Sequence, residues 1–434
     1  MTVEHNPWRR PLAMRSLPPA YVLATLISGC AASGSAPMAL GVAGDLSSVR
    51  RTVAGRDGVP GPKGFSVIWQ LGTSSLGSGA AGGVALDKAG DLFGAASGGG
   101  TNGDGTVYEL SPAGKAYTGT VVHNFTGADG SGPAWGTPLI DTRGDLYVTA
   151  SGGGASGDGT AVDLSPSESG YAETNLFSFG GSDGSEPYAG LTAFKGKTLY
   201  TLTDAGGATG HGAIVALTPS GFSERTVYSF AGPPSDGAAP VASLVADGKG
   251  ALYGVTQYGG PHSGGVVFKF VPSGNGGTET VLWAFGGKND GSDGQAPPIV
   301  DADGNLYGTT QGGGAYGYGT VWKLSPSGSG AYTETILHSF ANSPDGAVVF
   351  SGLALVNGTL YGATASGGSN PSFRAGTLFS ISTSGANYTV LHSFAGSDGQ
   401  TPEFGKWAIR GNVLFGTTAA GGAGDAGVVF RYEI

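Results

Sequence analysis

Seven leucines recur along this chain at almost constant intervals, and this repeat limits the possible folds more than any other feature. They are Leu92, Leu146, Leu199, Leu252, Leu306, Leu360 and Leu414, and successive members are 53 or 54 residues apart. A Phe or Tyr follows each of them directly. A repeat of this length is typical of an array in which one small supersecondary unit stacks on the next.

Each period contains four short β-type runs separated by turn residues. In the fifth period these runs are 298–301, 306–310, 320–324 and 334–340, with glycine- and serine-rich segments between them. The chain has 85 glycines among 434 residues, and glycine is unfavourable inside helices. Four strands in a repeat of roughly 50 residues indicate a β-propeller blade, whereas a β-helix would use much shorter repeats.

The two ends of the repeat region predict how the ring closes. The seventh repeat ends after its third strand, 428–432, and one additional strand, 65–71, precedes the first repeat. Pairing of these strands would remove the exposed edges of an open array. We therefore predict an all-β fold over residues 65–434, a seven-bladed β-propeller of four-stranded antiparallel blades, closed by strand 65–71.

The first 30 residues predict an export signal. Arg9 and Arg10 precede a short apolar stretch at 20–27, and the segment 26–30 that ends at Cys30 resembles a bacterial lipobox. We expect lipidation of Cys30, the sole cysteine; a buried structural cysteine is the alternative.

Whether translation starts at Met1 or Met14 stays open. Residues 31–64 are rich in Ala, Gly, Ser and Pro, which predicts a flexible tether. We expect a protein of the bacterial cell envelope, lipid-anchored at the periplasmic or cell-surface side, or secreted.

The repeat itself resembles a known family. Its Leu-Tyr-Gly-Thr-Thr segment (306–310), Gly-Gly-Gly loop (312–314), Gly-Thr-Val-Trp-Lys-Leu strand (319–324) and Leu-His-Ser-Phe stretch (337–340) are similar to the GloVer tandem repeat. The resemblance implies an exported, propeller-like repeat protein and supplies no catalytic residues. Val148 and Thr201 depart from the pattern, because the other copies have Gly at this position.

An Asp-Gly column recurs in the connections between blades, and we expect it on the same face as the glycine-rich loops. Asp-Gly is a common turn signal. Calcium is the weaker alternative, because ligands of Ca²⁺ lie only about 2.3–2.6 Å from the ion and neighbouring blades cannot share one. We expect no cofactor. The column consists of Asp129, Asp183, Asp236, Asp293, Asp345 and Asp398.

Aromatic and polar residues on the loop face are the candidate ligand-binding groups. One set precedes the first strand of its blade, near the expected channel mouth, and the other occupies the glycine-rich loops. Packing in the core and exposed loop tips are the alternative interpretations. The first set is Trp135, Tyr188, Phe350 and Phe404, and the second is His211, His262, Tyr318, Phe373 and Arg374.

Function follows only coarsely from the sequence. The formal net charge of -10 disfavours nucleic acid as a partner, since phosphate binding needs clustered Lys and Arg. No His-Glu-x-x-His or Walker motif occurs. We predict a monomeric binding module for an extracellular glycan, peptide or protein, attached to the membrane only through its lipid. The alternative is a carbohydrate-active hydrolase or lyase with acidic residues in the central mouth.

Overall fold

The computed structural model describes residues 53–54, 64–72, 75–133, 135–195, 198–218, 223–287, 289–328, 330–370, 375–402 and 405–434. They all belong to one compact unit, Arg50–Ile434. Cys30 and the predicted signal, together with most of the predicted tether, lie outside the described residues. Within them, no helix has the length and apolar composition needed to cross a bilayer.

The fold is an all-β, seven-bladed propeller, and each blade is an antiparallel four-stranded sheet. From the first strand to the fourth, blades 1 to 3 consist of Ala85–Leu86, Leu92–Ala96, Thr106–Ala113 and Ala116–Asn124; Leu139–Ile140, Leu146–Ala150, Thr160–Ser167 and Gly170–Ser178; and Thr192–Phe194, Thr198–Thr203, Ala213–Thr218 and Ser223–Ser229. Blades 4 and 5 consist of Val245–Ala246, Leu252–Val255, Val266–Ser273 and Gly276–Ala284; and Ile299–Val300, Leu306–Thr310, Thr320–Pro326 and Tyr332–Ser339. Blade 6 consists of Ala354–Val356, Thr359–Thr364, Thr377–Ser382 and Thr389–Ser393, and blade 7 of Ala408–Arg410, Val413–Thr418, Val428–Glu433 and Phe65–Gln70.

Short two-residue strands are present in addition to the four strands of each blade. Gly237–Ala238 pairs with Tyr258–Gly259, and Gly291–Ser292 pairs with Gly312–Gly313. Val53–Ala54 pairs with the fourth strand of blade 1.

The predicted closure of the ring is confirmed. Phe65–Gln70 runs antiparallel to Val428–Glu433, with Phe65 opposite Tyr432 and Val67 opposite Phe430. The side chains of Phe65, Val67 and Trp69 are each only 2% exposed. Because a strand from before the first blade completes the last one, each described blade has four strands.

The core lies between adjacent blades. Leu146 and Val162 of blade 2, for example, form one buried cluster with Phe93 and Val107 of blade 1. Threonine side chains reinforce these contacts: the Thr149 hydroxyl of blade 2 donates to the Ala189 carbonyl of blade 3 over 3.0 Å. Each anchor leucine is fully or nearly fully buried.

The glycine that follows the anchor and its aromatic neighbour makes room for a large side chain on the third strand. A Cβ on Gly308 would lie 2.3 Å from the ring of Trp322 opposite it. Where the repeat lacks this glycine, the facing residue is small: Val148 lies opposite Val162, and Thr201 lies opposite Val215. The two departures from the family pattern therefore preserve the packed volume.

A β-bulge interrupts the pairing of the third and fourth strands in every blade. In blade 1, Val107 pairs with His123 and Tyr108 with Val121, so Val122 has no partner across the ladder. The extra residue is always aliphatic and packs into or against a core cluster. These residues are Ile68, Val122, Leu176, Val227, Leu282, Leu337 and Leu391.

The residue after each bulge faces the neighbouring blade, and we call these contacts the seams. His338 stacks on Tyr388 of the next blade at 3.8 Å, and His392 stacks on Phe65 at 3.8 Å. At the seam between blades 7 and 1, a Cβ on Gly119 would lie 2.7 Å from Trp69. At each of these seams, a large ring on one blade faces either a glycine or a flat aromatic ring on the next blade.

The histidines at three seams, His123, His338 and His392, pack against aromatic rings, and each also contacts the Asp-Gly column. The Nε2 of His123 lies 2.9 Å from Asp129, and that of His392 lies 2.9 Å from Asp398. Burial alone would raise the pKa of Asp398, but hydrogen bonds from His392 and the Ala395 N–H outweigh it and the pKa is lowered.

Carboxyl pairs occupy other seams. The Tyr228 hydroxyl lies 2.8 Å from Asp236 and 3.4 Å from Glu279 of the next blade. Burial, together with the charge of Asp236, raises the pKa of Glu279 to about 7. Burial and the adjacent Asp290 raise the pKa of Glu334 to about 9. In the folded ring the protonated form is therefore favoured below pH 7 for Glu279 and below pH 9 for Glu334.

Stability should consequently depend on pH through these two glutamates. Their contribution is complete below the ordinary glutamate pKa of about 4.3 and is lost as the pH rises through 7 for Glu279 and 9 for Glu334. We expect the double variant Glu279→Gln/Glu334→Gln to lose less thermal stability than wild type between pH 5 and pH 9. The exposed Glu168→Gln is the matched control. An unchanged pH dependence of Tm in the double variant would contradict this assignment.

Candidate functional site

The inter-blade connections and the glycine-rich loops share one face of the ring, as the sequence predicts. Ser131 of a connection pairs with Gly152 of a loop, and Ser185 pairs with Ala205 in the same way. The structure places Asp290 at the Asp-Gly column, because Gly291 pairs with Gly313 where Gly237 pairs with Gly259. Asp293 lies three residues further along the chain.

The aspartates of this column hold turns together. The carboxylate of Asp183 accepts the Gly180 N–H over 2.8 Å, and that of Asp129 accepts the N–H and the hydroxyl of Thr126. Within the described ranges, no group of three or more His, Cys, Asp or Glu side chains has a metal-binding arrangement. The hydrogen bonds that these carboxylates accept are those of the turn interpretation.

Polar and aromatic side chains converge near the loop-face end of the central channel, and we call this group the channel-mouth crescent. It lies on blades 2 to 5. Its members are Trp135, Glu186, Tyr188, Asp204, Tyr258, Asp293, Gln295 and Gln311.

Specific contacts join one half of the crescent. Trp135 and Tyr188 meet edge to face, with ring centroids 5.2 Å apart. The Tyr188 hydroxyl donates to Glu186 over 2.9 Å. The backbone N–H of Asp204 donates to the Glu186 carbonyl over 3.1 Å, so the two acidic residues lie on adjacent chain segments. The predicted aromatic pair thus lies beside carboxyl groups.

Amide side chains join the other half. The Nε2 of Gln295 donates to Asp293 over 2.8 Å and to Gln311 over 2.7 Å. Tyr258 lies between the two halves: burial, and then the charges of Asp293 and Asp204, raise the pKa of its hydroxyl. Its side chain is 49% exposed, so this aromatic group is accessible to a ligand.

Two carboxyls of the crescent are poised to exchange protons near neutral pH. Burial, followed by the charge of Glu186, raises the pKa of Asp204 to about 6. Burial also raises the pKa of Asp293 to about 6, although hydrogen bonds from Gln295 and Gln257 act in the opposite direction. Both groups can therefore accept hydrogen bonds when ionised and donate them when protonated.

Glu186 and Asp293 occupy a backbone position that suits glycine. Their φ angles are 56° and 66°, and the equivalent residues of blades 1 and 2 are Gly79 and Gly132. Side chains here cost the fold backbone strain. The chemistry of the crescent is absent from the equivalent positions of blades 1, 6 and 7, which have Gly79, Val348 and Thr401 in place of Glu186, and Ser97, Ala365 and Ala419 in place of Asp204.

The ring of residues two positions before each first strand lies below the crescent, and Lys406 of blade 7 crosses it. The Lys406 backbone N–H donates to the Thr137 hydroxyl of blade 2 over 3.1 Å. Its Nζ donates to the Leu244 carbonyl of blade 4 over 3.2 Å. Contacts between blades this far apart in the ring place Lys406 at the centre of the channel.

The other predicted candidates are placed less centrally. Phe350 is half-buried in the column that contains Trp135. His211 is half-buried beside Gly232, and His262 is exposed on its loop. Tyr318 packs against the core between blades 5 and 6. Phe373, Arg374 and Phe404 lie outside the described residues.

Most of the crescent was not predicted from the sequence. Trp135 and Tyr188 were predicted as ligand-binding residues and Asp293 only as a turn or calcium residue, and Lys406 below the crescent was not predicted either. The members that were not predicted are Glu186, Asp204, Tyr258, Gln295 and Gln311. The available signal was the charge of Glu186, because the equivalent residues of blades 1, 6 and 7 are the uncharged Gly79, Val348 and Thr401.

Comparison with known proteins identifies the repeat. The profile of the Gloeobacter/Verrucomicrobia repeat matches residues 80–298, 134–372 and 294–434. None of the curated protein sequences is significantly similar to the chain.

Solved propellers are similar only at a distance. TolB from Acinetobacter baumannii matches with 15% identity and a TM-score of 0.39, over 66% of this chain and 60% of that one. A putative 6-phosphogluconolactonase from Bacteroides uniformis matches with 13% identity and a TM-score of 0.48, over 75% and 88% of the two chains. A gluconolactonase from Xanthomonas campestris matches with 11% identity and a TM-score of 0.41, over 71% and 93%.

The strained position of Glu186 leads to a stability prediction. We expect Glu186→Gly to change the free energy of unfolding by less than about 1 kcal/mol, because relief of backbone strain offsets the greater freedom of glycine in the unfolded chain. Glu186→Val, which is β-branched, should be less stable than Glu186→Gly by about 1 kcal/mol or more. Urea unfolding measures both. Equal stability of the two variants would contradict the assignment of strain.

Proposed function

The chain belongs to the Gloeobacter/Verrucomicrobia repeat family, and we propose that it is a binding module that holds an oligosaccharide at the channel-mouth crescent. The observation that carries this proposal is that aromatic, amide and carboxyl groups contact one another on blades 2 to 5. Sites of this kind combine an apolar surface with a few well-placed polar groups.

The crescent offers the two kinds of contact that a sugar needs. The rings of Trp135 and Tyr188, held at 68° to each other, give apolar surface for the C–H faces of a pyranose. Asp293, Gln295 and Gln311 form a connected hydrogen-bonding group, and hydroxyl-rich ligands can both donate to it and accept from it. The mutual hydrogen bonds fix these side chains before a ligand arrives, which lowers the entropic cost of binding.

The location of the protein is part of the same proposal. The basic, apolar and small-residue pattern that ends at Cys30 supports export and lipid attachment. A monomeric ring tethered by residues 31–64 would then present its loop face to glycans outside the cytoplasm.

A second candidate function is cleavage of a glycosidic bond at the same crescent. The observation that favours it is that Asp204 lies beside Glu186, and that burial, followed by the charge of Glu186, raises the pKa of Asp204 to about 6. A proton-donating carboxyl beside an ionised one is the arrangement used for general acid chemistry on sugars.

Calorimetric titration with a panel of oligosaccharides tests the binding proposal. We expect Tyr188→Ala to weaken a bound sugar at least tenfold, because stacking surface and the hydrogen bond to Glu186 are both lost. Tyr188→Phe should lose less. Val271→Ala, at a side chain that is 39% exposed near the end of the third strand of blade 4, away from the loop face, is the matched control.

The same mixtures distinguish the two candidate functions. New reducing ends that disappear in Asp204→Asn would favour cleavage, whereas saturable binding without products would favour the binding module. The absence of heat and of products across neutral, amino and acidic oligosaccharides would contradict both.

Substitution of Cys30 tests the proposed anchor. In a bacterial host that processes lipoproteins, we expect the full chain to label with palmitate and sediment with membranes. Cys30→Ser should abolish the label and release the protein from the membranes, while Ser35→Ala should behave as wild type. A Cys30→Ser protein that still sediments with membranes would contradict a lipid anchor.

A further inference from the structure

Lys406 lies in the central channel and contacts blades 2 and 4. It stands two residues before the first strand of blade 7, and these segments run inward from the loop face. Its backbone N–H bonds Thr137, which is two residues after Trp135 of the crescent. The backbone of the lysine therefore lies beside the segment that follows Trp135 in the chain.

Close backbone packing holds the lysine in place. A Cβ on Gly83 would lie 2.2 Å from the Lys406 carbonyl oxygen, and a Cβ on Gly405 would lie 2.1 Å from the Gly83 nitrogen. Blade 1 therefore leaves no side chain between Lys406 and Thr137. The segment forms a fixed floor to the mouth, and its side chain extends across the channel to Leu244.

The charge of Lys406 is uncompensated within the described part of the chain. None of the ion pairs found there includes it. An ammonium group has three N–H donors, and Leu244 O is the one acceptor that it reaches among the described residues. Loss of hydration lowers the pKa of Lys406 to about 8. A cation that is desolvated without a counter-charge favours an anion in contact with it.

We infer that Lys406 forms an anion subsite at the floor of the mouth, which holds a sugar carboxylate, so that the oligosaccharide of the crescent is a uronate polymer. This inference rests on the proposed function. The remaining donors of the ammonium group can bond both oxygens of a carboxylate, and hydrogen bonds of this charge-assisted kind are strong.

The other titratable groups of the mouth set a pH window for such a ligand. Asp204 faces Glu186 and Tyr258, and Asp293 faces Gln295, Gln257 and Tyr258. Below pH 6 the two aspartates are mainly protonated and no longer repel an anion, while Lys406 is still charged. Uronate binding should therefore strengthen as the pH falls from 7.5 to 5.

The test compares tetra-galacturonate, tetra-mannuronate and tetra-glucuronate with their methyl esters, which have the same rings without the charge. With the full chain at pH 5.5, we expect at least one free acid to bind at least tenfold more tightly than its ester. Lys406→Met should remove this difference and leave ester binding within twofold. Lys406→Arg should retain most of it.

A measurement on the wild-type protein does not depend on whether Lys406→Met folds. Raising sodium chloride from about 0.05 M to 0.5 M should weaken binding of the acid but not of the ester, since salt screens charge pairs. Equal affinities for acids and esters, or an acid preference that persists in Lys406→Met, would overturn the inference and leave the proposed function standing. If neither these sugars nor neutral ones bind, the proposed function fails with it.

Discussion

Closure of the ring is the constraint on which the rest of this structure depends. Seven separate sheets form one body only because each blade buries its apolar surface against two neighbours, and the last blade borrows its fourth strand, Phe65–Gln70, from before the first. The core consequently lies in the interfaces between blades rather than within any one of them. Loss of packing at one seam would therefore expose buried apolar surface on two blades at once. The repeated bulge fits this demand, because it turns an additional aliphatic side chain toward the interface in every blade.

The fold could be predicted from the sequence because the same types of residue recur at equivalent positions of each repeat. Leu306, Tyr307 and Gly308, for example, belong to a segment that recurs on the second strand of each blade, and this recurrence reveals the strand pattern. The seams could not be predicted in the same way. Trp69 and Gly119 are 50 residues apart, and their fit appears only when adjacent sheets are packed together. The sequence placed Asp293 in the Asp-Gly column, whereas the strand pairing places Asp290 there. Both residues precede a glycine, so only the strand register distinguishes them.

The candidate site was predictable only in its aromatic half. Trp135 and Tyr188 occupy one column of the repeat, so spacing alone relates them. Glu186 and Asp204 belong to different columns, and only the pairing of a connection with a loop brings them together. Lys406 belongs to a third column and reaches Leu244 only across the channel. The crescent is thus the part of the ring where sevenfold similarity is abandoned. Glu186 and Asp293 differ from their equivalents in charge rather than in backbone, because Val348 and Thr401 of blades 6 and 7 also have positive φ angles.

The seams also fix the order of the blades. The seven repeats have nearly the same backbone, and a ring of them might be expected to tolerate exchange of one blade for another. The side chains forbid it: Trp69 needs the empty space at Gly119, whereas His392 needs the flat face of Phe65. Moving a blade to another place would create a clash at one seam and a void at another. Each blade therefore fits only one position in the ring. A newly duplicated repeat could be inserted only with compensating substitutions at the seams on both of its sides.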